Sequence, residues 1–312
     1  SWQVVMLGTP ALASQFTDVA ITSTGRVYIA FGGNNDNTVD GVWTSASGAP
    51  GTYTRIAGGG SPAGWNANGA YGRVVLGIAP SNENLVYALY WNNYTSNCSA
   101  PAPEAELFLW DNAVSGWTDK SANLPNEPGC SQGNDPFTVQ TGYDLVVAVK
   151  PDNPNIVFLG GTNIYRSTDA FSTNNNTTRI GGYSSAASTS IYANSHPDIH
   201  VIAFEPGNPS VLICGNDGGM QRTSNSLAPT VSWTPINNGY RTFQYYRVAV
   251  DPEPGSTKVM GGAQDNGTTR NSGSTGSPFT LIAGGDGVSV GLSKPWVDPF
   301  FGDVLTWEYM GS

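Results

Sequence analysis

One segment recurs along this chain with its turn chemistry intact, and it limits the folds open to the sequence more than any other feature. It reads as an apolar run, a turn built on Pro, Asn and Gly, a second apolar run, and then small residues. The fullest copies are Ala148-Val149-Lys150-Pro151-Asp152-Asn153-Pro154-Asn155-Ile156-Val157-Phe158-Leu159-Gly160-Gly161 and Ala203-Phe204-Glu205-Pro206-Gly207-Asn208-Pro209-Ser210-Val211-Leu212-Ile213-Cys214-Gly215-Asn216. A third runs from Ala249 to Gly262, and a weaker one from Ile78 to Leu89. Pro151, Pro206 and Pro252 stand 55 and 46 residues apart. Pro80 precedes Pro151 by 71, the excess lying in an irregular stretch at 92–140. Proline cannot donate to a sheet ladder, so the turn separates two strands rather than interrupting one. No segment holds a helical period over the length a helix requires.

A period of roughly 40–50 residues is what a four-stranded propeller blade needs. Each unit continues, after its Gly-rich loop, into a more polar strand, a Ser/Thr/Asn hairpin and a short closing strand. The hairpin segments are Trp43-Thr44-Ser45, Tyr165-Arg166-Ser167-Thr168-Asp169, Gln221-Arg222-Thr223-Ser224-Asn225 and Thr269-Arg270-Asn271-Ser272. The expected fold class is therefore all-β, a β-propeller of antiparallel four-stranded blades forming a single domain over 1–312. The blades fall at about 15–57, 73–119, 143–181, 198–237 and 245–283, with a partial sixth at 287–309 and an insertion at 92–140. Trp2–Leu7 reads as a further strand that could join the last unit. Alternatively, the six units belong to a seven- or eight-bladed ring completed by other sequence.

Composition narrows the partners. Only 12% of residues are charged and the net charge is −10, with no basic cluster, which argues against nucleic acid and anionic membrane as ligands. No run approaches the roughly 18 apolar residues of a bilayer span, so no membrane insertion is expected. Cys98 and Cys130 share one Pro/Asn-rich stretch and are the expected disulfide, whereas Cys214 sits in an apolar run and reads as a buried thiol. Acceptor-type sequons occur at Asn93, Asn97, Asn175, Asn176 and Asn266. Together with low Lys content, these features point to an extracellular or periplasmic protein. Ser1-Trp2-Gln3 is not a signal peptide, so an exported chain would already have lost one.

Tyr165-Arg166-Ser167-Thr168-Asp169 resembles the opening of an Asp box, the Ser-x-Asp-x-Gly-x-x-Trp hairpin of sialidases, sortilin-type propellers and xyloglucanases, without its Gly and Trp. Further segments resemble those of secreted bacterial BNR-repeat proteins that are glycosyl-hydrolase-like. These are Tyr143-Asp144-Leu145, His196-Pro197-Asp198-Ile199-His200, Gly215-Asn216-Asp217-Gly218-Gly219, Gln244-Tyr245-Tyr246, Gly261-Gly262-Ala263-Gln264-Asp265-Asn266-Gly267 and Gly284-Gly285-Asp286-Gly287. The resemblance covers about half the chain well and the first 140 residues loosely. It implies a propeller and says little of activity, because that fold hosts many functions.

The repeat register places the polar residues. Asp144, His196, Asp198, His200 and Asp286 fall at or just before innermost strands, while Asp217, Gln264 and Asp265 fall in loops between second and third strands. In a propeller both sets project to one face, near the central channel. His196, Asp198 and His200 alternate, so an extended segment would turn them to one side, as candidate ligands for a divalent metal ion or as residues locking a blade junction. Asp217, Asp265 and Asp286 each lie near glycine. They read either as tight-turn residues or as carboxylates for glycoside hydrolysis, which needs a protonated acid and a base or nucleophile about 5–9.5 Å apart. A sialidase would need an arginine triad, yet Arg166, Arg222 and Arg270 fall in third strands and Arg55 and Arg179 in closing strands.

Trp65, Tyr71, Tyr90, Trp91, Tyr94 and Tyr240 lie in or beside loops, with Trp110 and Trp117 nearby; they are candidate sugar platforms or blade-packing residues. The leading expectation is a non-catalytic binding or assembly module for a glycan or protein partner. That partner would sit at the channel face (Asp144, His196, Asp198, His200, Gln264, Trp91, Tyr94) or at the 92–140 insertion. The alternative is a polysaccharide-acting glycoside hydrolase using Asp217, Asp265 or Asp286.

Overall fold

The structure, a computed structural model, describes residue 4 and residues 16–32, 39–66, 72–129, 137–239, 243–274, 276–292 and 305–309. Trp2–Leu7, Tyr71, Cys130 and Tyr240 lie outside the described residues, apart from Val4 of the first segment. The chain divides into two compact units, Ser1–Ile236 and Asn237–Ser312. The described residues are all-β apart from two short 3-10 turns at Ser121–Asn123 and Gln140–Gly142.

The first unit holds four antiparallel sheets of four strands each. In chain order they are β1–β4 (Phe16–Ile21, Val27–Gly32, Gly41–Ser45, Thr54–Ala57) and β5–β8 (Val74–Ile78, Leu85–Trp91, Ala105–Asp111, Gly116–Asp119). Next come β9–β12 (Val146–Val149, Val157–Gly160, Ile164–Ser167, Thr177–Gly181) and β13–β16 (Ile199–Glu205, Asn208–Asn216, Gly219–Thr223, Thr234–Pro235). Within each sheet the strands pair in sequence order, each with the next. The first strands β1, β5, β9 and β13 lie against one another in succession.

Strand alternation explains this serial packing. A strand buried on both faces carries apolar residues at every position, and even and odd positions face different neighbours. In β6, Ala88 and Tyr90 pack with Ala30, Val42 and Ala57 of the first sheet, while Tyr87 and Leu89 pack with Val147, Val157 and Leu159 of the third. In β10, Val157 and Leu159 belong to that second layer, and Phe158 joins Ile202, Leu212, Cys214, Val231 and Trp233 of the fourth sheet. The core is thus a series of layers between sheets.

Two further devices repeat. The indole of Trp117 in β8 donates to the carbonyl of Ile56 in β4 at 2.7 Å, and Trp233 donates to Ile180 in β12 at 2.6 Å, so a closing segment is tied to the closing strand of the sheet before it. A small residue at the end of the second strand admits the next first strand. A Cβ on Gly160 would lie 2.7 Å from Ile199.

The stretch 92–140 is not wholly additional, because it contains β7 and β8. The extra chain falls in two pieces on either side of them. Cys98 is disulfide-bonded and Cys214 is a buried free thiol. Glu104, buried, accepts from the amides of Ser96 and Val139 at 2.8 Å each, which ties the first piece to the segment leading into β9.

The second unit contains one four-stranded sheet, β17–β20 (Arg247–Val250, Val259–Ala263, Gly267–Asn271, Phe279–Ala283), and a two-stranded sheet of β21 (Gly287–Leu292) and β22 (Leu305–Tyr309). Here too β21 lies against β17 and β18, and Gly262 allows it, since a Cβ there would meet the backbone of Val288 at 2.8 Å.

Several aromatics considered as platforms belong to the core. Trp65, Tyr90 and Trp110 are buried, and the Trp65 ring lies 4.6, 5.1 and 5.8 Å from those of Tyr90, Phe108 and Trp117. Loop position in the sequence concealed their packing between the first two sheets. Trp65→Ala should therefore lower unfolding stability by about 3–5 kcal/mol in denaturant titration, the usual cost of removing a buried large aromatic. An unchanged midpoint would mean that Trp65 is a surface residue.

Candidate functional site

Three segments of the first unit meet where the third and fourth sheets begin. One is the turn Gln140–Gly142 with Tyr143 and Asp144, which leads into β9. Another is 195–200, leading into β13, and the last is the β14–β15 turn at Asp217. Backbone bonds bring the first two together. The amide of Thr162 donates to the Thr138 carbonyl (3.0 Å), that of Asp198 to the Thr162 carbonyl (3.1 Å), and that of Ile199 to the Gly161 carbonyl (2.9 Å).

At their meeting point lies a cluster of carboxyl groups and imidazole. Asp144 is 0% exposed and Asp198 is 8% exposed. The two carboxyl groups lie close enough to influence each other. Burial raises the Asp198 pKa above the usual carboxylate range. Neighbouring Asp144 opposes that rise, the Asp217 charge adds to it, and the two histidines oppose it. Gln140 Nε2 donates to Asp198 Oδ1 at 2.7 Å. His200 stands between two acids, with Nε2 2.5 Å from Asp217 Oδ1 and Nδ1 3.8 Å from Asp144 Oδ1. The ring of Tyr143, 56% exposed, meets His200 edge-on at 4.7 Å. Asp198 and Asp217 bring carboxylate oxygens within 4.8 Å of each other.

Residues predicted to be 54 to 73 positions apart in sequence (Asp144 to Asp198 and Asp217) are thus brought together. The expected alternation of His196, Asp198 and His200 is broken. Asp198 has φ +65°, so the chain is not extended there and β13 begins one residue later. The imidazole of His196 instead covers Gly218, where a Cβ would lie 2.6 Å from the ring, and its Nδ1 is 3.1 Å from the Pro197 carbonyl. Asp198 and His200 share the neighbours Asp144 and Asp217, but among the described residues the trio His196, Asp198 and His200 does not gather its ligand atoms into one group.

Trp91 and Tyr94 are engaged in contacts within the chain. Trp91 is half-buried against Gly72 and behind Gly142, and its indole donates to the Tyr94 carbonyl at 2.9 Å. The Tyr94 hydroxyl closes its own loop on Ala100. Arg73 supports the rim from the second sheet by donating to the Tyr143 carbonyl at 3.0 Å.

In the second unit Asp286 Oδ1 accepts the amide of Asp265 at 3.0 Å, and Gln264 accepts from the Tyr246 hydroxyl. Asp265, φ +60°, occupies the β18–β19 turn. Asp286 therefore organises that turn, the structural alternative weighed for Asp-Gly sequences.

Sequence reasoning missed Gln140, Arg73 and the exposed ring of Tyr143. Gln140 and Thr141 both have left-handed backbone, at φ +46° and +58°, a conformation uncommon for residues other than glycine. No local sequence pattern announces it.

No family model and no curated protein matches the chain. Similarity to solved structures lies in the fold. An ancestral GH74 enzyme aligns at 16% identity and TM-score 0.54, over 94% of this chain and 39% of its own. The GH74 enzyme of Niastella koreensis aligns at 16% and 0.45, over 86% and 42%. The GH74 xyloglucanase of Xanthomonas campestris aligns at 14% and 0.36, over 91% and 44%. The chain thus spans less than half the length of these proteins. Its fold class is all-β, made of β-propeller blades.

The raised pKa of Asp198 yields a pH test. A raised folded-state pKa means that the Asp198 contribution to stability is whole below its unfolded value of about 3.9 and is lost as pH rises through the folded value. Asn stands in for the neutral carboxyl and has no proton to lose. The stability of Asp198→Asn relative to the wild type should therefore increase as pH rises above about 4 in denaturant titrations. A difference independent of pH would contradict the raised pKa.

Proposed function

We propose that the protein is an exported propeller that binds a glycan, without turning it over, at the rim formed by Tyr143, His200 and Asp217. One observation carries this reading: the groups most suited to acid–base chemistry, Asp144 and Asp198, are buried, the latter held by Gln140, whereas the Tyr143 ring is exposed and His200 and Asp217 are partly so. An exposed aromatic beside polar acceptors suits a sugar, which offers an apolar ring face and hydroxyl donors. The disulfide at Cys98 supports export, because such bonds persist in oxidising compartments. Among the described residues no helix is long and apolar enough to cross a membrane.

The Ser167–Asp169 hairpin supports reading the repeats as degenerate Asp boxes. Ser167 Oγ donates to Asp169 Oδ1 at 2.9 Å and accepts the amide of Phe171 at 2.8 Å. Asp169 Oδ2 accepts from Thr173 and Asn176. These bonds outweigh burial and hold its pKa at about 2.

A glycoside hydrolase is the second reading. It is favoured by the raised pKa of Asp198, close to the Asp217 carboxylate, since a protonated and an ionised carboxyl are the two groups that hydrolysis uses. Binding to a panel of soluble polysaccharides, with reducing-end release measured in parallel, separates the two. The binding reading expects retention without release. It also expects weakening of about tenfold or more in Tyr143→Ala, as for loss of an aromatic contact of about 1.4 kcal/mol. Release that disappears in Asp217→Asn would establish the hydrolase instead. Absence of both binding and release would end both readings for that panel, leaving a protein partner as the ligand to seek.

A further inference from the structure

Arg166, in β11, faces the seam between the third and fourth sheets and is only 5% exposed. Its Nη1 donates to the carbonyls of Ser226 at 2.7 Å and Ala228 at 3.0 Å. Its Nε is buried with no partner. The Nε–Nη2 edge, which ordinarily grips a carboxylate or oxyanion in a bidentate fork, thus meets no acceptor among the described residues. Ser226, fully buried, adds a hydroxyl that likewise has no partner.

No carboxylate pairs with this guanidinium among the described residues. The one titratable group that faces it is Tyr192, whose hydroxyl donates to the Val231 carbonyl at 2.9 Å. The repeat explains the deficit. Arg222 holds the corresponding third-strand position in the next sheet and pairs with Glu205 at 3.2 Å. In the register of the recurring segment the position of Glu205 is taken by Lys150 in the third sheet. Arg179, also almost buried, has Glu127. Arg166 alone of these three keeps a buried positive charge without a counter-charge, and burial lowers its pKa accordingly. Burying an isolated cation costs far more than two neutral carbonyl bonds return.

We propose that the seam between the third and fourth sheets is an anion site, in which a small monovalent anion such as chloride sits on the Nε–Nη2 edge of Arg166 within reach of the Ser226 hydroxyl. The anion supplies the charge that Glu205 supplies to Arg222, and it stabilises the contact between the two sheets. This site is separate from the Tyr143–His200–Asp217 rim and does not depend on what that rim binds.

The test is thermal unfolding of the full chain at fixed ionic strength while sodium chloride replaces sodium gluconate, so that general screening is constant. A saturable rise in Tm of about 2–4 °C is expected, the size that one added anion gives a unit of this length. Arg166→Met keeps the bulk of the side chain and removes the charge, and should abolish the rise. Coincident chloride and gluconate curves, or an undiminished rise in Arg166→Met, would overturn the proposal. Should that variant fail to fold, anomalous diffraction from wild-type crystals grown in bromide decides the matter. A peak at the Nε–Nη2 edge supports the site, and its absence there refutes it.

Discussion

Face-to-face packing of successive sheets, through strands apolar on both sides, is the constraint on which the rest of the first unit depends. A sheet with one apolar face would be satisfied by one neighbour. Strands such as Leu85–Trp91, with Tyr87 and Leu89 on one side and Ala88 and Tyr90 on the other, require two. That requirement propagates from sheet to sheet. It also demands close approach near the first strands, which is why Gly160 stands where Ile199 arrives.

The candidate site follows from this arrangement. Each sheet presents its first-strand entry and its second-to-third turn at the same end, so serial packing brings Asp144 of one sheet against Asp198, His200 and Asp217 of the next. Their proximity gives the acids unequal roles. The innermost pair, Asp144 and Asp198, has little access to solvent, while Asp217 and His200 remain partly exposed. The same seam, further out, contains Arg166 without an acid. Two neighbouring sheets therefore leave an excess of carboxyl groups at one level and a deficit at another.

The strand pattern was legible because turn chemistry is local: Pro151, Pro206 and Pro252 punctuate the chain whatever surrounds it. So was the approximate position of the acids, since register along a repeat places loops at one end or the other. Side-chain direction was not. Asp198 is left-handed rather than extended, His196 packs over Gly218 while His200 meets Asp144 and Asp217, and period-two reasoning fails wherever the backbone leaves the extended region. Burial of aromatics was equally hidden. Trp65 sits in a loop by sequence but packs against three rings from the second sheet. Gln140 and Arg166 gain their meaning only from partners 58 and 60 residues away, and no composition or spacing foretells that.

The central claim is that folding unites Asp144 and Asp198, 54 positions apart, in one buried pair and raises the Asp198 pKa above its ordinary value. An infrared-monitored pH titration of the wild type against Asp198→Asn reads this most directly. The account predicts a carboxyl C=O band in the wild type that outlasts the ordinary carboxylate range as pH rises and that the variant lacks. A wild-type band lost within the ordinary range would contradict it.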